Sequence, residues 1–163
     1  FASWDLMKAP GRESYVVEGD TRLQFVAATG RSVEVVFDEK WYPPERSRLE
    51  FWRWCSGAST VTLRNPHPFP ILVNVSFGIR AKDARKVGLW EAGRARWERL
   101  LAPGERREVR VHDLRLEPGD TVWRFETNSP GKYPDSDDRR RLAFSLRDLT
   151  IEIVGRADRP AKP

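Results

Sequence analysis

From Ile71 to Arg80 the chain alternates strictly. Ile71, Val73, Val75, Phe77 and Ile79 fall on one side, and Leu72, Asn74, Ser76, Gly78 and Arg80 on the other. A period of two matches the pleat of an extended strand and not the 3.6-residue turn of a helix. Shorter runs repeat the pattern: Leu23 with Phe25, Val33 with Val35 and Phe37, Val61 with Leu63, and Trp123 with Phe125. Turn signals separate these runs at short intervals, at Thr29-Gly30-Arg31, Asn65-Pro66, Ala92-Gly93-Arg94, Pro103-Gly104 and Pro118-Gly119-Asp120. Many short alternating runs with regular turns predict an all-β fold, a two-sheet antiparallel β-sandwich.

Two runs change phase. Val109 and Val111 are followed by Leu114 and Leu116, and Leu142, Phe144 and Leu146 by Leu149, Ile151 and Ile153. A spacing of three moves the apolar set to the other face. A β-bulge near Arg147-Asp148, or a strand crossing between sheets, restores it. Helical signal is confined to one possible turn at Lys82–Lys86.

A chain of 163 residues suits one domain. The reading is a single domain over 1–154, with a charged, Pro-containing tail or linker over 155–163. Seven Trp and eight Phe supply bulky core material, so disorder is excluded. The net charge is +5, but the arginines are interleaved with acids, which describes a solvated mixed surface. No nucleic-acid motif is visible, and no nucleic-acid partner is expected. Cys55 is the only cysteine, so no internal disulfide forms; its aromatic neighbours predict a buried thiol. No run reaches the roughly 18 to 20 apolar residues of a membrane span. The chain starts at Phe1, which reads as a piece of a longer protein.

Catalytic signatures are missing. The two histidines, His67 and His112, have no metal-ligand spacing, and no nucleophile elbow, P-loop or dinucleotide fingerprint occurs. No cofactor and no catalytic residue is expected. Asp135, Asp137 and Asp138 cluster in a long loop, Asn128–Arg141, but Arg139, Arg140 and Arg141 follow at once. Acids neutralised by adjacent arginines predict salt-bridged surface and no metal site.

The most informative segment is Trp41-Tyr42-Pro43-Pro44-Glu45, followed by Phe51-Trp52-Arg53-Trp54. On a strand, Trp52 and Trp54 share one face and Phe51 and Arg53 the other. Indoles on an open face make a stacking platform for the C–H face of a sugar, and Arg53 and Glu45 suit its hydroxyls. The ligand-binding candidates are therefore Trp41, Tyr42, Glu45, Arg53 and Trp54. The opposing reading places these aromatics between the sheets. Trp54 is expected in the core and Trp41 partly exposed beside the turn. Trp90 and Trp97, flanking another turn, carry the same two readings.

The first half of this pattern, Trp41-Tyr42-Pro43-Pro44-Glu45, Arg53-Trp54 and a strand ending at Leu63, has a second half. It comprises Leu116-Glu117-Pro118-Gly119-Asp120, Phe125-Glu126-Thr127, Asp137-Asp138-Arg139 and Leu142-Ala143-Phe144. Together, over about residues 30 to 154, they resemble accessory β-sandwich domains of bacterial envelope proteins, many of them membrane glycosyltransferases. Those domains are similar to the galactose-binding-like jelly roll of carbohydrate-binding modules. The resemblance implies a non-catalytic, extracytoplasmic (periplasmic or cell-surface) module of a longer parent chain. Its partner would be a carbohydrate or lipid-linked sugar, the alternative being a structural or protein-interaction domain without a small ligand.

Overall fold

The computed structural model describes residues 33–134 and 137–157 in full, and 5–8, 13–18 and 21–26 by their strand pairing. The described residues hold thirteen strands and no helix. They are β1 (Asp5–Lys8), β2 (Glu13–Glu18), β3 (Thr21–Val26), β4 (Glu34–Phe37), β5 (Glu45–Arg46), β6 (Phe51–Cys55) and β7 (Ser59–Asn65). Then come β8 (Ile71–Ala81), β9 (Arg85–Glu91), β10 (Arg94–Leu101), β11 (Arg106–Leu116), β12 (Gly119–Thr127) and β13 (Phe144–Arg156). No described helix is long and apolar enough to cross a membrane.

The strands form two sheets, one of eight and one of five. The smaller runs β10-β9-β12-β7-β4, antiparallel throughout. In the larger, β13 is the hub. One of its edges pairs with β8, which pairs in turn with β11. Its other edge is divided: β6 takes Phe144 to Arg147, and β3 takes Leu149 to Ile151. The β3–β13 pair is parallel, so this sheet is mixed at one place where all-antiparallel pairing was expected.

The alternation read from the sequence holds. Ile71, Val73, Val75, Phe77 and Ile79 are buried, while Asn74 and Ser76 are half-buried and Arg80 exposed on the opposite face. The inner faces meet through aromatics. Phe77 of the larger sheet lies 6.3 Å from Trp123 and 5.9 Å from Phe125 of the smaller, and Phe125 lies 6.0 Å from Phe144. Each such buried side chain contributes about 1.5–3 kcal/mol by leaving water.

Both phase changes are bulges. Between Val111 and Leu114, β11 carries one residue more than its partner β8, and β13 does the same between Arg147 and Thr150. At each bulge an aspartate takes left-handed backbone, Asp113 at φ 52° and Asp148 at φ 50°. Aspartate tolerates this region better than most residues. Asn74 Oδ1 accepts the Asp113 N–H at 2.9 Å. Asp148 Oδ1 accepts the Phe51 N–H at 2.9 Å, across the gap where β6 gives way to β3.

Two expectations need correction. Lys82–Lys86 is not a helical turn: the Lys82 N–H bonds Ala143 O, and Arg85 already pairs with Leu101 at the start of β9. The tail does not begin at Gly155, because Gly155 and Arg156 still pair with Leu72 and Ile71. The Thr29-Gly30-Arg31 turn, the side chains of Leu23 and Phe25, Asp135, and the tail from residue 158 lie outside the described residues.

Two tests follow from the core. Asp148→Ala is expected to cost about 2 kcal/mol, since it orphans the Phe51 N–H and places alanine in left-handed backbone. Asp148→Asn keeps both features and should stay within about 0.5 kcal/mol in urea unfolding. Cys55 is fully buried, and burial pushes its pKa up to about 12. Maleimide labelling is therefore expected to be slow in the native protein and fast in denaturant.

Candidate functional site

The tryptophan segment folds as the spacing predicts and then divides its side chains. Trp41 bridges to Cys55, the Tyr42 N–H bonds Trp54 O, and Glu45 pairs with Trp52, so all five candidates lie close together. They do not share a face. Trp41 is 6% exposed, packs edge-on against Phe37, Phe125 and Phe144, and donates its indole N–H to Thr60 O at 3.0 Å. Its expected partial exposure is thus corrected: the ring closes the open side of the core. Arg53 reaches between the sheets, its guanidinium 4.1 Å above the Phe37 ring. Tyr42 and Glu45 are engaged from the long loop. The Arg141 N–H bonds the Tyr42 hydroxyl at 3.0 Å, and Arg140 pairs with Glu45 at 3.1 Å.

Trp54 reverses its expectation too. Cys55 lies opposite Phe144, which is core, so Trp52 and Trp54 lie opposite Arg147 and Ser145 on the outer face, half-buried. Trp52 carries the Arg147 guanidinium 5.1 Å above its ring. Glu50 bridges Arg147 and Arg106 at 2.8 Å each, and the Arg106 side chain lies so low over the sheet that a Cβ at Gly78 would collide with it. This is a network of mutually satisfied groups. Trp54→Ala is accordingly expected to cost less than the ~3–5 kcal/mol of a core tryptophan.

A well-formed depression lies elsewhere, on the outer face of the five-stranded sheet. It is a groove of about 610 Å³ crossing β9, β10 and β12. Drug-sized ligands occupy cavities of about 300–1,000 Å³. The register builds it. Gly88 stands between Glu98 and Glu126, and Trp90 between Ala95 and Arg124. A Cβ at Gly88 would lie 3.0 Å from Trp90 Nε1, so the absence of a side chain lets the indole lie over the strand as a floor. Ion pairs form the walls: Lys86 with Glu98 at 2.8 Å, and Arg124 with Glu126 at 3.6 Å. The Ala92-Gly93 turn closes one end, with positive φ at both residues as a two-residue hairpin requires.

A bulge separates the two tryptophans of this hairpin. Between Ala95 and Trp97, β10 holds one extra residue, Arg96, which pairs with Glu91 at 2.8 Å. Trp97 is thereby turned to the core side, and Glu98 outward into the groove. The sequence reading left Trp90 and Trp97 equivalent, because β10 is too charged to show a phase change.

The far end is fixed by a residue that reading missed. The Arg85 side chain is fully buried, pairs with Asp83, and donates to Thr127 Oγ1 at 3.3 Å and Ser129 O at 2.8 Å. It pins the rim at Thr127–Ser129. Burial works against the Asp83 carboxylate, yet the hydrogen bonds and charges of Arg85 and Lys132 outweigh it and hold its pKa below 3.8. A lowered folded pKa adds stability above the unfolded value, and that stability is lost as pH falls through the folded one. Arg85→Met is expected to cost about 2–3 kcal/mol near neutral pH. The deficit should shrink below about pH 4 in urea titrations.

Asp138 pairs with Arg140 at 2.7 Å, and that hydrogen bond brings its pKa down to about 2. Of the three loop acids, Asp138 is the one seen neutralised by an arginine, and no cluster suited to a metal occurs among the described residues.

No protein-family model matches the sequence, and no curated protein matches it. Solved structures do resemble it. TmCBM61 in complex with β-1,4-galactotriose aligns at TM-score 0.40 and 13% identity, over 74% of this chain and 88% of that one. The carbohydrate-binding module CBM36, in complex with calcium and xylotriose, aligns at 0.35 and 13%, over 74% and 98%. A Podospora anserina GH26-CBM35 β-(1,4)-mannanase aligns at 0.36 and 16%, over 77% of this chain and 26% of its own. All three superpositions are loose.

Proposed function

We propose that this domain is a non-catalytic carbohydrate-binding module of a longer, extracytoplasmic protein, and that the sugar lies on Trp90. The groove carries the reading. A flat indole floor suits the C–H face of a pyranose, and the flanking Glu98, Lys86 and Arg124 offer acceptors and donors to its hydroxyls. Both groove carboxylates are held by cations, which favours binding over general acid–base work.

A second surface is proposed from the tryptophan segment, with Trp54 beside Tyr42 and Glu45. The half-buried indoles of Trp52 and Trp54 on one outer face favour it. Should neither surface bind sugar, the domain is a structural or protein-interaction module.

Calorimetry with β-linked galacto-, xylo- and manno-oligosaccharides tests the reading. Affinity is expected in the millimolar to high-micromolar range, because an open groove buries little area. Trp90→Ala should weaken binding about tenfold, roughly 1.4 kcal/mol, with Tm unchanged. Gly88→Ala should weaken it by lifting the indole. Full binding by Trp90→Ala with loss in Trp54→Ala would move the site to the other sheet.

A further inference from the structure

The Trp90 groove does not end at its rim. A second cleft, of about 510 Å³, opens beyond it at the loop end of the sandwich. Thr127 and Asn128 line both depressions. The rim between them is firm, since Arg85 holds it from below and the Lys86 N–H bonds Asn128 Oδ1 at 3.0 Å. That bond commits the carbonyl end of the exposed Asn128 amide and leaves its NH₂ at the rim to donate.

The two halves differ in charge. In the groove, two cations face two carboxylates and are paired with them. The cleft is lined by Lys40 and Arg141, with no carboxylate. Neither forms an ion pair among the described residues, and the Arg141 guanidinium lies 5.2 Å over the Tyr133 ring. Some surface arginines are neutralised by an acid close by, as Arg64, Arg106, Arg107 and Arg115 are. Two cations left in one concavity make a local positive field that selects an anion.

We infer that groove and cleft form one track for an acidic oligosaccharide, with a neutral residue on Trp90, the chain crossing at Asn128, and a carboxylate-bearing sugar between Lys40 and Arg141. This rests on the carbohydrate reading above and adds the ligand's charge and direction. A chain is required, since a single sugar cannot occupy both depressions. Charge-assisted hydrogen bonds to the carboxylate supply the selectivity.

The probes are tetragalacturonate and a hyaluronan tetrasaccharide, each compared with its carboxyl-reduced neutral form at low and high salt. The acidic forms are expected to bind about tenfold more tightly at low salt, with the advantage fading as salt rises. Lys40→Ala and Arg141→Gln should each remove most of that advantage and leave the neutral forms unaffected, whereas Trp90→Ala weakens both. Equal affinity for acidic and reduced forms would overturn the inference while leaving the carbohydrate reading intact. Equal losses for both forms in Lys40→Ala would do the same. Failure of every oligosaccharide, acidic or neutral, would remove the carbohydrate reading and this inference with it. Salt-dependent binding of oligothymidylate in place of the uronates would assign the cations to nucleic acid.

Discussion

A long strand cannot keep one face inward in a twisted sandwich unless its phase is corrected along the way. β13 runs for 13 residues and β11 for 11. Each slips by one residue at an aspartate in left-handed backbone. Without the slip at Asp148, Leu149, Ile151 and Ile153 would face water, and a hydrophobic loss of several kcal/mol would follow. The slip also decides the neighbours. β6 pairs before it and β3 after it, and the Asp148 carboxylate closes the seam by accepting the Phe51 N–H. The outer network of Glu50, Arg106 and Arg147 gathers around that seam. Burial drives the Arg147 pKa down while Glu50 draws it up, so this cation depends on its partner.

The same device shapes the groove on the opposite sheet. An extra residue at Arg96 sends Trp97 inward to pack and Glu98 outward to the wall. The hairpin therefore invests one indole in the core and one in the floor. Gly88 is the counterpart on β9, empty where the floor must be low. Binding surfaces on rigid sheets hold their geometry better than surfaces on loops, because the ladder fixes each side chain's origin.

Much of the fold was legible because apolar alternation is a local signal with a single structural meaning. The Ile71–Ile79 run, both phase breaks and the buried thiol at Cys55 all came from residue order alone. The candidate site was harder to read, for a definite reason. Trp41 and Trp54 look alike in sequence, and their fates differ because Trp41 lies opposite Cys55 while Trp54 lies opposite Ser145. The first pairing spans 14 positions and the second 91, and no local residue pattern encodes either. Arg85 was missed because a lone arginine in a turn signals surface, whereas here four acceptors converge on it. The bulge at Arg96 left no trace because β10 holds few apolar residues to fall out of step.

The charged character of β10 has a consequence of its own. This strand is one edge of the five-stranded sheet, unpaired on its outer side among the described residues, and its outward backbone groups are a template on which another chain could add a strand. Arg94, Arg96, Glu98 and Arg99 crowd that edge with exposed charge, and the bulge interrupts its ladder. Both are recognised defences against edge-to-edge aggregation. Glu98 belongs both to the groove wall and to this charged edge, so neutralising it to enlarge the groove would trade solubility for space.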